Sequence, residues 1–392
     1  MAMDGIFGEA VDRIGGEPIS SRMARKAPVR HLDPSLLMIT LMLAAYGVVM
    51  VQSTTLNSQA SAGLDPNLFL KRQVAFGIAG LIALLAISFF DYRYLAGFSP
   101  VIYGAALVTL ILVLTPLGTI RSGATRWIDL GPFEAQPSEL AKVAVIIVLA
   151  AYLAAKKGEV TGLDIAVAVG LVAVPSILIY RQPDLGTMMV FVALLGAALL
   201  SGGAKIRHFL SLGLLGLIGV VIILQAGLLK DYQVQRLTSF LDPNPDVQSV
   251  GYNLTQSKIA IGSGGMQGKG LGGKNTQTSL DFVPEQHTDF IFTAVGEQLG
   301  FLGSATLLGM FAFLLWRGLR IAAMSRDLFG TLLASGVVAL WAFQIFVNVG
   351  MTMGIMPITG IPLPFISYGG SSLITNFVAV GLLLNIHMRR YL

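Results

Sequence analysis

The chain has 392 residues, of which 54% are hydrophobic and only 12% are charged. Its mean hydropathy of +0.75 excludes an ordinary soluble domain. Because the sequence contains no cysteine, disulfide bonds, zinc–thiolate sites and thiol nucleophiles are excluded together. The formal net charge of +5 fits basic loops that orient a membrane protein, and we expect no nucleic-acid partner.

Long apolar runs recur along the chain from residue 35 onward. About 20 residues at ~1.5 Å rise per residue cross a ~30 Å hydrocarbon core, so each such run predicts a membrane-spanning helix. The sequence therefore predicts an all-α polytopic membrane protein, with one transmembrane domain over residues 33–392 after a polar, basic tail at 1–32. The ten predicted spans lie near 35–54, 74–90, 99–117, 138–155, 163–180, 185–202, 209–229, 288–316, 328–353 and 368–388.

The distribution of basic residues predicts how these spans are oriented. The N-terminal tail has no apolar core of the kind found in a cleavable signal peptide, so we expect the first span to act as its own insertion signal. With the N-terminus in the cytoplasm, most of the 26 lysines and arginines fall on inner segments, as the positive-inside rule requires. Both termini are then cytoplasmic, and the loops at 118–137, 181–184, 230–288 and 354–367 face outward.

The outward loop at 230–288 is too long to be a simple connection. Its first half could form short helices at the membrane interface. Its second half contains GSGGMQGKGLGGK at 262–274, where glycines would let backbone N–H groups approach an anion and Lys269 and Lys274 would add charge. That composition suits a phosphate, although the spacing is not that of a P-loop, and a flexible linker explains it equally well.

The predicted fourth span carries Glu139 and Lys142 in its first turns. At a spacing of i and i+3 they share one face of the helix. Ionisable residues inside a membrane helix cost about 2.5–3.5 kcal/mol on insertion scales, which makes them candidates for a functional site. The alternative is an ion pair that only holds helices together.

Two shorter loops also carry polar residues toward the outer face. Arg126 and Trp127 lie in the loop at 118–137, where interfacial anchoring is the simpler explanation for the tryptophan. Gln182 and Asp184 lie in the tight turn RQPDLGT, where Asp184 is also well placed to cap the next helix.

The segment MGIMPITGIPLPFISYGGSS at 353–372 is rich in proline and glycine. Irregular backbone at membrane depth is tolerated only where it is buried in protein or lines a cavity, so we expect a broken or re-entrant segment there. The polar residues facing such a cavity would be Asn348, Ser367, Tyr368, Ser371 and Ser372.

The stretch PEQHTDFIFTAVGEQLG at 284–300 places several polar and acidic side chains where the eighth span begins. Thr288 could cap that helix, and an acid is favourable at a helix N-terminus, but this accounts for only one acid. A partly desolvated Asp289 could accept a proton from a hydroxyl group. Eight residues separate Asp289 from Glu297, which predicts that the two share a helical face. Glu285, His287 and Thr288 complete the predicted cluster.

Six motifs follow one another along the chain: RW at 126–127, QPSELAK at 136–142, RQPDLGT at 181–187, IAIGSGG at 259–265, PEQHTDFIF at 284–292 and GIPLPFISYGGSS at 360–372. In this order they resemble the shape, elongation, division and sporulation family of peptidoglycan polymerases. The resemblance runs from about residue 33 to the C-terminus, and GKNTQTSLDFVPEQHTDFIF is more similar to the elongation (RodA-type) branch than to the division (FtsW-type) branch.

The resemblance implies a glycosyltransferase that joins lipid II units into glycan strands at the outer face of the cytoplasmic membrane. It implies that Asp289 deprotonates the GlcNAc 4-hydroxyl of the acceptor and that undecaprenyl pyrophosphate leaves. It also implies that Glu139 and Lys142 organise the cavity or a pyrophosphate, and that Arg126, Trp127, Asp184 and the SYGG segment belong to the site.

The implied partners are lipid II, the polyprenyl-linked strand, the elongation machinery and a class B penicillin-binding protein. Departure of a pyrophosphate needs cations, which Lys142, Arg126 and the lysine–glycine loop could supply. The sequence shows no spacing of metal ligands, although a divalent cation, Mg²⁺ or Mn²⁺, could serve the same purpose.

Two other functions fit part of the sequence. A flippase or transporter of lipid-linked precursors would also show intramembrane charges and broken helices, but its charges should not cluster on one face, and it usually contains an internal repeat. A scaffold that recruits a partner enzyme would not need Asp289.

Overall fold

The computed structural model of the chain describes residues 31–121, 124–129, 131, 133–225, 250–273, 276–280, 282 and 285–390. Each of the ten predicted spans corresponds to a helix in this part of the chain, so the predicted all-α polytopic fold is confirmed. Eight of these helices are long and apolar enough to cross a membrane, and two further apolar helices are shorter.

The helices and strands follow one another in a simple order. The helices are α1 (Pro34–Ser61), α2 (Leu68–Phe89), α3 (Arg93–Val113), α4 (Pro137–Ala154), α5 (Gly162–Arg181), α6 (Leu185–Ser201), α7 (Ile206–Gln225), α8 (Val250–Ser263), α9 (Ile291–Ala323), α10 (Leu328–Met353) and α11 (Gly370–Arg389), and the strands between α3 and α4 are β1 (Gly118–Arg121), β2 (Ala124–Asp129) and β3 (Glu134–Ala135).

Three helices form the centre of the bundle. The apolar stretch is 78% buried in α4, 67% in α10 and 83% in α11, compared with 17% in α3. Helix α4 packs against α3 and α10, while α11 packs against α2. Trp341 of α10 donates a hydrogen bond of 2.8 Å to Asn376 of α11, which joins two of the central helices inside the core. The remaining helices leave apolar side chains on the outside, as expected of surfaces that face lipid.

Local sequence signals set several helix ends. Asp33 accepts hydrogen bonds from the first backbone N–H groups of α1, Thr161 and Asp164 form a capping box at α5, and Asp327 caps α10. Gly354 ends α10 in the left-handed conformation with φ of 77°, which glycine adopts without a steric penalty.

The predicted loop at 118–137 folds into a small antiparallel sheet, which the all-α prediction missed. Its strands lie in the order β1-β2-β3, and β1 pairs with β2 so that Gly118 faces Ile128 and Thr119 faces Trp127. A register shift follows Thr119. Strands β1 and β3 have only four and two residues, and the six residues of β2, ATRWID, do not alternate between apolar and polar, so the sequence carries no strand signal there.

Helix α9 differs from the predicted eighth span in two ways. It begins at Ile291, with Phe290 at the N-cap and no side-chain hydrogen bond there, so the prediction that Thr288 caps it was wrong. It is also interrupted at Gly300, whose φ of 64° and ψ of −160° are not helical.

Candidate active site

Asp289 lies in a turn at 285–290 that leads directly into α9. Its side chain is half-buried, and the Glu285 side chain in the same turn is exposed. Thr288 directs its hydroxyl back to Glu285, at 3.1 Å from both the carbonyl and a carboxylate oxygen. Because Asp289 precedes the helix, the predicted shared helical face with Glu297 does not exist.

The irregular segment at 354–369 holds this turn from one side. Ser367 Oγ donates to the carbonyl oxygen of Thr288 at 2.6 Å, and Tyr368 N donates to that of His287 at 2.9 Å. The rings of His287 and Tyr368 are 5.8 Å apart, and both contact Phe69, with centroid distances of 5.0 and 4.8 Å. The backbone next to Asp289 is therefore fixed by specific bonds.

Asn348 and Gly360 complete the immediate surroundings of Asp289. The side-chain nitrogen of Asn348, which is fully buried in α10, donates to the carbonyl oxygens of Asp289 at 2.9 Å and Ile361 at 2.8 Å. Gly360 has φ of +73°, and a Cβ added to it would lie 3.1 Å from Asp289 Oδ2. The side-chain amide of Asn348 thus joins the irregular segment to the backbone of Asp289, and Gly360 lets the segment approach the carboxylate.

A second outward turn packs onto the same segment. Arg126 Nε donates to the carbonyl oxygen of Gln182 at 3.1 Å, and its Nη2 donates to that of Pro183. Asp184 caps α6, accepting from Thr187 N at 3.2 Å and Thr187 Oγ1 at 2.9 Å. The capping role proposed as the alternative for Asp184 is therefore present.

Gly186 brings this turn into contact with the Asp289 region. A Cβ at Gly186 would lie 2.8 Å from both the Thr359 carbonyl oxygen and a side-chain carbon of Ile361. The Asn348 side-chain nitrogen donates both to the carbonyl oxygen of Ile361 and to that of Asp289. The strand carrying Arg126 is therefore connected to Asp289 through a continuous series of contacts.

Glu139 and Lys142 form a buried ion pair near the start of α4. The distance from Lys142 Nζ to Glu139 Oε1 is 2.7 Å, and the two side chains are 2% and 3% exposed. The predicted sharing of one helical face is thus present. An ion pair that only holds helices together and one that organises a substrate have this same geometry, so the distance does not distinguish the two.

Ser371 and Trp127 occupy supporting positions. Ser371 Oγ accepts from Gln136 N at 2.9 Å, just before α4, and is 3.4 Å from the carbonyl oxygen of Glu134. It therefore ties the start of α11 to the sheet. Trp127 is half-buried in β2, and its carbonyl oxygen accepts from Thr119 Oγ1 at 3.2 Å.

Glu297 performs a separate task from Asp289. Its carboxylate is fully buried and accepts from Lys269 Nζ at 2.9 Å, Gln277 N at 2.7 Å and Thr278 N at 2.9 Å. It fastens the glycine-rich part of the long loop to α9. The charge of Lys269, predicted to serve a phosphate, is thus paired with an acid of the chain itself.

The glycines of this loop pack against the break in α9. The N–H groups of Lys269 and Gly270 donate to the carbonyl oxygens of Glu297 and Gln298 at 3.0 and 2.9 Å. A Cβ at Gly268 would lie 2.2 Å from the Gln298 carbonyl oxygen, so only glycine permits this approach. Close backbone packing accounts for these glycines without a bound phosphate. Lys274, the other predicted cation, lies outside the described residues.

The structure thus brings together Asp289, Thr288, His287, Ser367 and Tyr368. Sequence reasoning missed the roles of two glycines: Gly360, which approaches Asp289, and Gly186, which approaches Thr359 and Ile361 in the segment beside it. Both were recognisable only as glycines in motifs, because close approach depends on long-range contacts. In the described part of the chain, no group of three or more His, Asp or Glu side chains is arranged to hold a metal ion.

Comparison with known proteins identifies the family to which this geometry belongs. The family model described as "Cell cycle protein" (FTSW_RODA_SPOVE) matches residues 34–392. The chain is 40% identical over 358 residues to stage V sporulation protein E of Bacillus subtilis (strain 168), with 90% of this chain and 96% of the relative covered. It is 38% identical over 369 residues to peptidoglycan glycosyltransferase MrdB of Escherichia coli (strain K12), with 92% of this chain and 94% of the relative covered.

Solved structures show the same similarity. A chain of the structure titled "Structural coordination of polymerization and crosslinking by a peptidoglycan synthase complex" has a TM-score of 0.78 and 33% identity, covering 92% of this chain and 98% of that one. The rod shape determining protein RodA of Thermus thermophilus has a TM-score of 0.68 and 30% identity, with 92% and 98% covered. The chain is therefore a multi-pass membrane protein that belongs to the FtsW, RodA and SpoVE family, as its motifs predicted.

Proposed function

We propose that Asp289 is the general base with which this peptidoglycan glycosyltransferase activates its acceptor, lipid II. The carboxylate takes the proton of the GlcNAc 4-hydroxyl, and that oxygen attacks the anomeric carbon of the growing strand. The bond from the anomeric carbon to the pyrophosphate oxygen breaks, and undecaprenyl pyrophosphate leaves with the electron pair. A positioned base of this kind contributes about 10²–10⁴ to a rate.

The observation that carries this assignment is the way in which the turn at 285–290 is held. Ser367, Tyr368 and Asn348 each bond to its backbone carbonyl oxygens, while the Asp289 side chain is only half-buried. A rigid backbone that carries a partly exposed acid is what proton abstraction from a bound hydroxyl requires.

The leaving pyrophosphate needs positive charge, and the candidate cations differ in their suitability. Lys142 and Lys269 are paired with Glu139 and Glu297. Arg126 uses two of the five N–H donors of a guanidinium on the turn at 182–183, so it can still donate to a phosphate oxygen. We propose Arg126 as the first cation to meet the pyrophosphate. A divalent cation, if used, would be held by one or two carboxylates and the phosphates themselves.

The reaction is proposed to take place at the outer face of the cytoplasmic membrane. Four loops are predicted to face outward, at 118–137, 181–184, 230–288 and 354–367, and their described residues are connected in series. Arg126 bonds to the turn at 182–183, Gly186 just after that turn approaches Thr359 and Ile361, and Ser367 bonds to Thr288. Their convergence on one face is consistent with the orientation derived from basic residues.

The proposed partner is a class B penicillin-binding protein, a transpeptidase. One similar solved structure is a peptidoglycan synthase complex that coordinates polymerisation and crosslinking. We also propose a role in cell elongation. The chain is almost equally identical to the sporulation protein (40%) and to MrdB (38%), so overall identity does not select this role. The proposal rests on the residues before Pro284, which resemble the elongation branch.

Reconstitution of the purified chain with its transpeptidase partner and lipid II in proteoliposomes tests the proposal. Wild-type chain should produce glycan strands, and Asp289→Asn should produce them at least 100-fold more slowly, on the scale of about 10²–10⁴ for a general base. Glu285→Gln should behave as wild type because it alters an exposed acid of the same turn. Equal polymer from wild type and Asp289→Asn would remove Asp289 as the base. Transfer of lipid II across the membrane without polymer would favour a transporter instead.

A further inference from the structure

The break in α9 at Gly300 separates backbone groups that a continuous helix would pair. The φ of 64° and ψ of −160° at Gly300 lie in a region that is essentially restricted to glycine. In an unbroken α-helix each N–H group bonds to the carbonyl oxygen four residues earlier. The N–H group of Phe301 would then bond to Glu297, and that of Leu302 would bond to Gln298. The break leaves these four groups in need of other partners.

The glycine-rich segment at 264–270 supplies a partner to each of the four groups. The hydrogen bonds are Phe301 N to Gly265 O at 2.8 Å, Leu302 N to Met266 O at 3.1 Å, Lys269 N to Glu297 O at 3.0 Å and Gly270 N to Gln298 O at 2.9 Å. The segment, docked on α9 through these bonds, therefore replaces both hydrogen bonds that the continuous helix would make within itself.

Two glycines allow the segment to come this close to α9. A Cβ at Gly268 would lie 2.2 Å from the Gln298 carbonyl oxygen, and one at Gly300 would lie 2.3 Å from Gly268 N. Neither position therefore accepts a side chain while the segment is docked. Because glycine adopts negative φ about as readily as positive φ, Gly300 is compatible with both a broken and a continuous α9.

Hydrogen bonds rather than apolar contacts hold the segment on α9. The side chains of Met266 and Leu271 are 63% and 51% exposed, so this part of the loop buries little apolar surface. Beyond the segment, Gly272 N donates to Ser53 Oγ of α1 at 2.9 Å. Elements with few buried apolar contacts open at a lower free energy than the whole protein unfolds. The segment is thus built to dock and withdraw as a unit.

The position of the break connects the segment to Asp289. Residues 301–323 of α9 are about 34 Å long at ~1.5 Å rise per residue, so they cross the hydrocarbon core without the first part of the helix. That first part, residues 291–299, begins two residues after Asp289. Its direction is set at Gly300, and a change in that direction moves the Asp289 turn relative to Asn348, which holds the turn from α10.

We propose that the glycine-rich segment at 264–270 holds α9 in its broken form and thereby positions Asp289, and that α9 becomes continuous when the segment withdraws. Withdrawal exchanges four hydrogen bonds between the two elements for two within α9, and water then bonds to the polar groups of the segment. Gly300 and Gly268 are positioning residues, because they act through the backbone that carries Asp289. The effect on catalysis rests on the role proposed for Asp289, whereas the two forms of α9 do not depend on it.

Double electron–electron resonance on the full chain in detergent tests the two forms. The chain contains no cysteine, so Leu271→Cys and Thr306→Cys, both at exposed positions, carry the only spin labels. Wild-type background should give one distance. Gly300→Ala should add a second, longer distance, because alanine does not fit the docked form and is favoured over glycine in a helix by about fivefold. Gly309→Ala, elsewhere on α9 with nothing within 4 Å of its Cβ, should keep the wild-type distance.

Strand synthesis by the same variants without labels separates positioning from loss of the fold. Gly300→Ala should lower kcat at least about tenfold and leave the KM for lipid II within about threefold of wild type. A displaced base slows the chemical step and not substrate binding. Rates are expressed per folded molecule, counted by size-exclusion chromatography, and Gly309→Ala should match wild type.

Gly268→Ala tests the same docking without a change in α9. The φ values of +78° at Gly268 and +88° at Gly270 impose similar strain on an alanine, but only the Cβ at Gly268 meets backbone atoms of α9. Gly268→Ala should therefore give the longer distance and the lower kcat, and Gly270→Ala should give neither. This pair decides the proposal if Gly300→Ala does not fold.

The outcomes distinguish this proposal from the role of Asp289. If Gly300→Ala and Gly268→Ala both keep the wild-type distance, α9 has a single form and the proposal is overturned. A second distance with a wild-type kcat would overturn the claim that the break positions Asp289. Asp289→Asn should keep the wild-type distance, and full activity in that variant would remove the base while the two forms of α9 remain.

Discussion

The side-chain nitrogen of Asn348 lies 2.9 Å from the carbonyl oxygen of Asp289, and it also donates to Ile361 at 2.8 Å. One amide from α10 therefore holds the turn that carries the proposed base and the irregular segment beside it. Because the Asn348 side chain is fully buried, water does not replace its two hydrogen bonds when a substitution removes the amide.

Asn348→Leu should lower the polymerisation rate about 100-fold, the scale expected when a catalytic group shifts by about 1 Å. The measurement is strand synthesis from lipid II under saturating substrate. Gln344→Leu is the matched control, since it removes another buried amide one turn earlier on α10. Equal rates for the two variants would show that Asn348 does not position Asp289.

Gly360→Ala should also reduce activity. At φ of +73° an alanine is strained by about 1–2 kcal/mol, and its Cβ would lie 3.1 Å from Asp289 Oδ2. Gly63→Ala provides the control, because φ of +69° gives the same strain with nothing within 4 Å of the Cβ. If the two variants have similar thermal stability and only Gly360→Ala loses activity, the loss comes from crowding of the Asp289 carboxylate and not from backbone strain.

The ion pair between Glu139 and Lys142 allows its two interpretations to be separated. Glu139→Gln and Lys142→Met should each destabilise the fold by about 3–5 kcal/mol, since each leaves a buried charge unpaired. The double variant should recover most of that stability, as measured by thermal unfolding. If the pair organises the substrate, the double variant stays inactive, and recovery of activity with stability would assign it a structural role only.

Glu297→Gln should loosen the glycine-rich loop. The carboxylate loses its charge-assisted bonds to Lys269 and Thr278, which typically contribute about 1.5–3 kcal/mol each. Limited proteolysis should show faster cleavage between residues 264 and 280. Lys269→Met should have a smaller effect, because the Gln277 and Thr278 donors remain. Cleavage no faster than in wild type would contradict this anchoring role.

The sequence predicted those features that depend on composition and local signals. Apolar length located ten helices, eight of which are long and apolar enough to cross a membrane, and Pro137 marked the start of α4. Both predictions follow from short-range chemistry. The i, i+3 spacing predicted the contact between Glu139 and Lys142 for the same reason.

Features that depend on long-range contact could not be predicted. The acids Asp289 and Glu297 are close in sequence, but the helix begins only at Ile291, so one lies in the turn and the other inside the bundle. The approach of Gly360 to Asp289 joins segments about 70 residues apart, and no local pattern encodes such a contact.

A comparison of Asp289→Asn with wild type tests the role of Asp289 as a base most directly. Lipid II binding and the rate of strand synthesis should be measured on the same reconstituted samples. We predict binding within about threefold of wild type and a rate at least 100-fold lower, since a general base contributes about 10²–10⁴. A rate within tenfold of wild type at equal binding would contradict the assignment.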